Sequence, residues 1–279
     1  MILVTGATGN VGRQVVDRLL AAGVEVRALA RRPEAAGLPA EVEVVGGDLA
    51  EPDSLTAALT GVDAVFLVWP FLTTEGAPGV LDAVTAHTGR VVYLSSSRVR
   101  DDADRQADPI GGLHAEMERV ITKSTAAWTF LRADTIASNA LGWAGQIRAS
   151  GVVRGPDLPA KPVVHERDVA ASAVRVLTED GHAGVGYVLT GPEVVSRADQ
   201  VALIGAAIDR PLRFEPIPPA AARAQMLADG RPPALVDALL AGADTPPEPP
   251  LITTTVRDLT GTPARTFEDW ARDHRSDFA

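Results

Sequence analysis

The chain has 279 residues, no cysteine and a formal net charge of −10 at pH 7. This composition excludes disulfides, thiolate nucleophiles and cysteine metal sites, and it argues against nonspecific nucleic-acid binding, which needs clustered Lys and Arg to displace counterions. A hydrophobic content of 46% is ample for a core, while no stretch is long and apolar enough to span a bilayer.

The first residues, Ile2-Leu3-Val4, read as a strand, so no secretory signal is expected and a cytoplasmic location fits. Thr5-Gly6-Ala7-Thr8-Gly9-Asn10-Val11-Gly12 follows, and then an amphipathic helical run to Ala22. Gly6 allows the tight turn, Gly9 lets backbone N–H groups approach a pyrophosphate, and Gly12 lets the helix pack close on the sheet. The helix N-terminus offers unpaired donors and a positive dipole end. Gly6, Thr8, Gly9, Asn10, Val11 and Gly12 are therefore the expected dinucleotide-binding residues.

Further strands are predicted over 25–30, 42–46, 64–68, 90–95 and 129–132, with helices over 52–59, 78–86 and 113–124 between them. This alternation is the signature of βαβ units; right-handed crossovers predict a doubly wound parallel sheet of order 3-2-1-4-5-6, a Rossmann α/β fold. The second half differs: loop and short strand over 151–164, helix over 166–177, a strand over 186–190, and helices over 197–208, 220–228 and 233–240. The expected organisation is a cofactor-binding domain over 1–150 and a smaller, partly interleaved α/β substrate lobe over 151–279. Pro216-Ile217-Pro218-Pro219 and Pro246-Pro247-Glu248-Pro249-Pro250 read as stiff connectors within that lobe.

NAD-binding chains usually carry Asp or Glu at the end of strand two to bind the ribose 2′-OH. Here that place reads Ala28-Leu29-Ala30-Arg31-Arg32. Arg31 and Arg32 suit a 2′-phosphate through their planar donor forks, which favours NADP over NAD; the alternative is a solvated pair before Pro33. Asp48, beside Leu49, is either an acceptor for the adenine amine or a helix-end cap. The five histidines (His87, His114, His165, His182, His274) show no ligand spacing, so no metal is expected.

The glycine turn, Arg31, Gly47-Asp48-Leu49, Thr129-Phe130-Leu131-Arg132-Ala133, and the later segments 177–184, 189–192, 254–261 and 265–267 together resemble the NmrA-like branch of the atypical short-chain dehydrogenases. The resemblance covers nearly the whole chain. It implies a Rossmann fold with a variable C-terminal lobe, in a branch holding NAD(P)H-dependent quinone reductases, azoreductase-type proteins, iminium reductases and regulators that bind the dinucleotide without turnover. The chain departs from the Tyr-x-x-x-Lys pair of short-chain dehydrogenases. With the family's acidic residue aligned on Glu118, His114 falls at the lysine place and Ile110 at the tyrosine place.

Hydride transfer itself needs no protein acid, so a quinone, iminium or enone can accept hydride and be protonated later by solvent. The expected activity is NADPH-dependent reduction of such a conjugated small molecule. The alternatives are a redox sensor without turnover, or a redox-neutral pathway enzyme. His114 is the candidate general acid or substrate hydrogen-bond donor, against a helix-surface role; Ser96 is the candidate for a carbonyl or ribose contact, against turn chemistry. Trp69 is placed at the cofactor, and Phe71, Asn139 and Trp143 at the substrate, with Trp143 otherwise in an interlobe core. His165 is expected to have a structural linkage role. A monomer or homodimer is expected.

Overall fold

The computed structural model describes residues 1–103, 106, 108–241 and 249–279. The chain opens β1 (Ile2–Val4), α1 (Asn10–Ala21), β2 (Val26–Ala30), β3 (Glu43–Gly46), α2 (Thr56–Leu59, entered by a 3-10 turn at Pro52–Leu55), β4 (Ala64–Leu67) and α3 (Ala77–Thr85). It continues with β5 (Arg90–Ser96), α4 (Pro109–Lys123), β6 (Ala127–Ala133), a 3-10 segment at Ala137–Trp143, α5 (Ala144–Ser150), β7 (Val152–Gly155), α6 (Glu166–Thr178), β8 (Val185–Leu189) and α7 (Arg197–Ala207). The remainder is β9 (Arg213–Pro216), α8 (Pro219–Ala228), α9 (Pro233–Leu240), α10 (Thr255–Thr260), α11 (Phe267–Asp273) and α12 (Arg275–Phe278).

The main sheet is parallel, with order β3-β2-β1-β4-β5-β6-β8, so the expected six-strand order is present and a seventh strand extends it. Helices cover both faces, which is why β1 and β4 are apolar throughout rather than alternating. Ile2 and Val4 pack with Val15, Leu19, Val169 and Val176 of α1 and α6 on one side. Leu3 packs with Leu59, Val80, Leu81 and Met117 of α2, α3 and α4 on the other. A third core, around Ile147, Val153, Ile204, Phe267, Trp270 and Phe278, belongs to the small lobe, where β7 and β9 pair in parallel.

The segment after residue 150 serves both bodies: α6 and β8 complete the main sandwich, while β7, α7 and β9 build the lobe. Of the two proline-rich connectors, the first leads from β9 into α8. Pro246, Pro247 and Glu248 of the second lie outside the described residues. Among the described residues no helix is long and apolar enough to cross a membrane, and no group of His, Asp and Glu is placed to hold a metal ion.

Candidate functional site

The glycine turn sits at the C-terminal end of β1 and is fixed there by Thr5. The buried Thr5 hydroxyl accepts from the Val68 N–H at 2.7 Å and lies 3.2 Å from the Val68 carbonyl, which ties the turn to the end of β4. Gly6 adopts φ +62°, the left-handed region that disfavours a side chain, and its carbonyl accepts from the Gly9 N–H at 2.9 Å. A Cβ on Gly12 would stand 2.1 Å from the Gly6 oxygen, so α1 packs directly on the turn and only glycine fits there.

Gly9 is the N-cap of α1 and offers no side chain to the first-turn N–H groups, and that turn holds no acidic residue. The usual capping oxygen is therefore missing at the positive end of a 12-residue helix. Thr8, Gly9 and Asn10 are exposed above it, while Val11 and Gly12 are buried beneath. An uncapped, exposed helix start on a glycine turn fits the pyrophosphate of a dinucleotide.

Arg31 and Arg32 are both exposed where β2 ends, just before Pro33, and neither guanidinium has a carboxylate partner among the described residues. Asp48 lies at the end of β3; its Oδ1 accepts from the Ala50 N–H at 2.9 Å, and its own N–H donates to Ser54 Oγ at 2.9 Å. This is a local Asx turn rather than a helix cap, since the 3-10 turn that follows has Glu51 at its N-cap and no side-chain cap, and the carboxylate is half-exposed at the strand end. Leu49 and Trp69 are both buried in the core under α3. The Trp69 indole N–H donates to the Thr73 carbonyl at 2.8 Å, and Phe71 packs edge-on against it at 5.0 Å. The indole expected as an open platform for the cofactor is instead a core side chain, because its loop folds back and satisfies the polar atom internally.

On α4, His114 is turned inward. Its Nδ1 lies 2.7 Å from the Tyr93 hydroxyl on β5, a pairing that follows from β5 directing Val91, Tyr93 and Ser95 toward α4. Burial pulls His114 down to about 4, outweighing the nearby Asp108 charge. Burial and then the Glu118 charge push the Tyr93 phenol up. Both groups are neutral at pH 7, so the expectation that His114 titrates near neutrality as an acid is corrected: a half-buried imidazole bonded to a phenol rather than to a carboxylate favours its neutral form. Its neutral ring can still donate or accept a hydrogen bond. Tyr93, a residue of β5, is the partner that sequence reasoning missed; strand alternation carried the signal, but only the packing of α4 identifies its mate.

The three serines of β5 and its end have separate tasks. Ser95 is buried and donates to Glu118 at 2.6 Å, and Glu118 in turn holds Arg132 at 2.6 and 2.9 Å. Ser96 Oγ accepts from the Arg98 N–H at 3.2 Å, which is turn chemistry. Ser97 donates to Asp134 at 2.7 Å, joining the ends of β5 and β6. Asn139 is exposed on the 3-10 segment beyond β6, and Trp143, half-buried at its end, packs against the small-lobe core. His165 is fully buried; its Nδ1 accepts from the Arg167 N–H at 3.1 Å, capping α6, and it stands between Glu166 and Asp273.

Comparison with known proteins agrees with this geometry. The family described as NAD(P)H-binding matches residues 6–180. A (4-alkanoyl-5-oxo-2,5-dihydrofuran-3-yl)methyl phosphate reductase of Streptomyces griseus is 42% identical over 284 residues, covering 100% of this chain and 99% of its own. An NAD(P)H azoreductase of Xenophilus azovorans is 35% identical, covering 100% and 99%. Among solved structures, an NADPH-dependent quinone oxidoreductase of Escherichia coli superposes with a TM-score of 0.78 at 25% identity, over 98% of this chain and 99% of that one. With a family match that starts on the glycine turn and full-length relatives that are reductases, the chain belongs to the NAD(P)H-binding family, among its NAD(P)H-dependent reductases.

Proposed function

We propose that this protein transfers hydride from NADPH to a conjugated organic acceptor (a quinone, iminium or enone) without a tyrosine–lysine acid pair. The observation that carries the reading is the uncapped α1 start on the Gly6–Gly12 turn, flanked by the exposed Arg31 and Arg32. Gly9, Asn10, Val11 and Gly12 would present main-chain donors to the pyrophosphate, and the arginine forks would hold the 2′-phosphate in place of the ribose-binding carboxylate. Bound NADPH supplies the hydride.

The acceptor class follows from what α4 lacks. Ile110 has no proton to give, and the Tyr93–His114 pair is held neutral and bonded to itself. A carbonyl needing concerted protonation is poorly served, whereas a conjugated acceptor spreads the incoming charge over its own π-system and takes a proton from water. The Streptomyces relative is named for a conjugated lactone, an acceptor of this class.

Stopped-flow loss of NADPH absorbance against a panel of quinones, iminium compounds and enones tests the proposal. Consumption of NADPH by at least one conjugated acceptor, with simple aldehydes and ketones slower by orders of magnitude, is expected. Tight NADPH binding without consumption across the panel would overturn it and favour a sensor.

A further inference from the structure

We infer that Arg13 is a positioning residue for NADPH selectivity: it ties the turn carrying Arg31 and Arg32 to the phosphate-binding start of α1. The inference rests on the reading of Arg31 and Arg32 as the 2′-phosphate site and names what holds that site in shape. Both side chains are exposed and have no hydrogen-bond or ion-pair partner among the described residues, so their aim depends on the backbone beneath them.

That backbone is a compact unit. Pro33–Ala35 forms a 3-10 turn with proline near its start, where the ring fixes φ. The Arg32 carbonyl accepts from the Ala35 N–H at 3.1 Å, and the Pro33 carbonyl accepts from the Ala36 N–H at 3.2 Å. Gly37 then redirects the chain with φ +57°. Whatever fixes Ala36 and Gly37 therefore fixes the turn from which Arg31 and Arg32 project.

Arg13 does this from α1. Its backbone N–H donates to the Gly9 carbonyl at 2.9 Å, directly behind the uncapped helix start. Its half-buried side chain crosses to the arginine turn, where Nη1 donates to the Gly37 carbonyl at 2.7 Å and Nη2 to the Ala36 carbonyl at 3.3 Å. One planar guanidinium thus clasps two successive carbonyls, a task its rigid donor fork suits. The tie joins the turn proposed for the pyrophosphate to the turn proposed for the 2′-phosphate. Holding the two in register before the nucleotide arrives lowers the ordering cost of binding. Only a nucleotide that uses both turns collects that gain. NADH has no 2′-phosphate to meet an ordered arginine turn, so the tie acts on selectivity rather than on affinity at large.

The test measures dissociation constants for NADPH and NADH on the wild-type protein, on Arg13→Gln, and on Arg31→Ala/Arg32→Ala with and without Arg13→Gln. The NADPH preference is expected to fall roughly tenfold in Arg13→Gln, with NADH binding held within about threefold. Once both arginines are gone, Arg13→Gln should weaken NADPH no further, because a residue acting through others is not additive with their loss. A preference that survives Arg13→Gln, an equal loss for both nucleotides, or a further loss in the arginine-free background would overturn the inference and leave the cofactor reading standing. Amide exchange on the nucleotide-free protein reads the tie itself: Ala35 and Ala36 should exchange roughly tenfold faster in Arg13→Gln, with β2 unchanged. Unaltered exchange at both amides would overturn the tie whichever nucleotide the protein prefers. A wild-type protein that binds NADPH and NADH alike, yet shows the faster exchange in Arg13→Gln, would overturn the 2′-phosphate reading and the selectivity role together.

Discussion

Gly12 carries the tightest steric constraint in the cofactor turn, since any side chain there would collide with the Gly6 carbonyl at 2.1 Å. Gly12→Ala should push α1 off the turn, costing about 1–3 kcal/mol of stability by overpacking and most of the dinucleotide affinity. Thermal melting and NADPH titration check this; unchanged affinity would show that the close packing does not shape the site. Arg31 is expected to read the 2′-phosphate. Arg31→Ala should weaken NADPH by roughly ten- to hundredfold while leaving NADH within about threefold, the usual range for one charge-assisted contact. Equal losses for both would return Arg31 to the solvated surface. His114 is neutral at working pH because burial places it at about 4 against an ordinary 6.5. Turnover should therefore show no His114-dependent limb between about pH 6 and 8, and a limb near neutrality that disappears in His114→Phe would contradict the geometry. In stability, this depressed histidine contributes fully above about 6.5 and its contribution is lost as pH falls toward about 4.

The C-terminal pair α11 and α12 is attached through a cluster of charges. His274 Nε2 meets Glu166 at 2.7 Å and its Nδ1 meets Asp277 at 2.8 Å, while the Trp270 indole donates to the same Glu166 oxygen at 3.1 Å. His165, Asp273 and Arg167 face the cluster, and Arg265 pairs with Asp168 two residues along α6. Burial opposes the charge on Glu166, but the adjacent His165 ring and the hydrogen bond with His274 bring it down to about 2 from an ordinary 4.5. Burial likewise opposes His274, yet Glu166 and Asp277 leave it raised above 6.5. A depressed acid stabilises above its unfolded value, here about 4.5, and loses that contribution as pH falls toward 2. A raised histidine stabilises below about 6.5 and loses its contribution as pH rises through the folded value. Amide exchange protection of α11 and α12, corrected for intrinsic rates, should thus be highest between about pH 4.5 and 6.5 and fall toward pH 9. Glu166→Gln should flatten this dependence; protection independent of pH in the wild-type protein would contradict the clamp.

This cluster also shows where the sequence stops being legible. Glu166-Arg167-Asp168 reads as a helix start, and it is one, but its partners lie about a hundred residues away and only tertiary packing brings them together. The βαβ rhythm of the first half was readable because each strand and helix announces itself locally, through apolar runs and glycine turns. The short helices α10 to α12, the 3-10 segment and β9 went unpredicted, since none is long enough to show a period. At the site, the glycine turn and the arginines were readable from spacing alone. The inward turn of Trp69 and the Tyr93–His114 contact were not, because both depend on which side chains a loop or helix meets after folding.

At the scale of the whole molecule, a seven-stranded sheet fixes the glycine turn, while a separate core cluster gathers residues from Ala137 to Phe278. The lobe core is held largely by Phe267, Trp270 and Phe278, all fully buried. Trp270→Ala should cost about 3–5 kcal/mol and loosen this core, raising KM for the acceptor more than the dissociation constant for NADPH. A parallel loss of both would show that the two halves are not separable in function. The proposed chemistry requires the turn to receive a reduced dinucleotide carrying a 2′-phosphate. Isothermal titration of the folded protein with NADPH and with NADH measures this directly: saturable binding at one site, tighter for NADPH by tenfold or more, is the expected result, and the absence of heat with either nucleotide would contradict it.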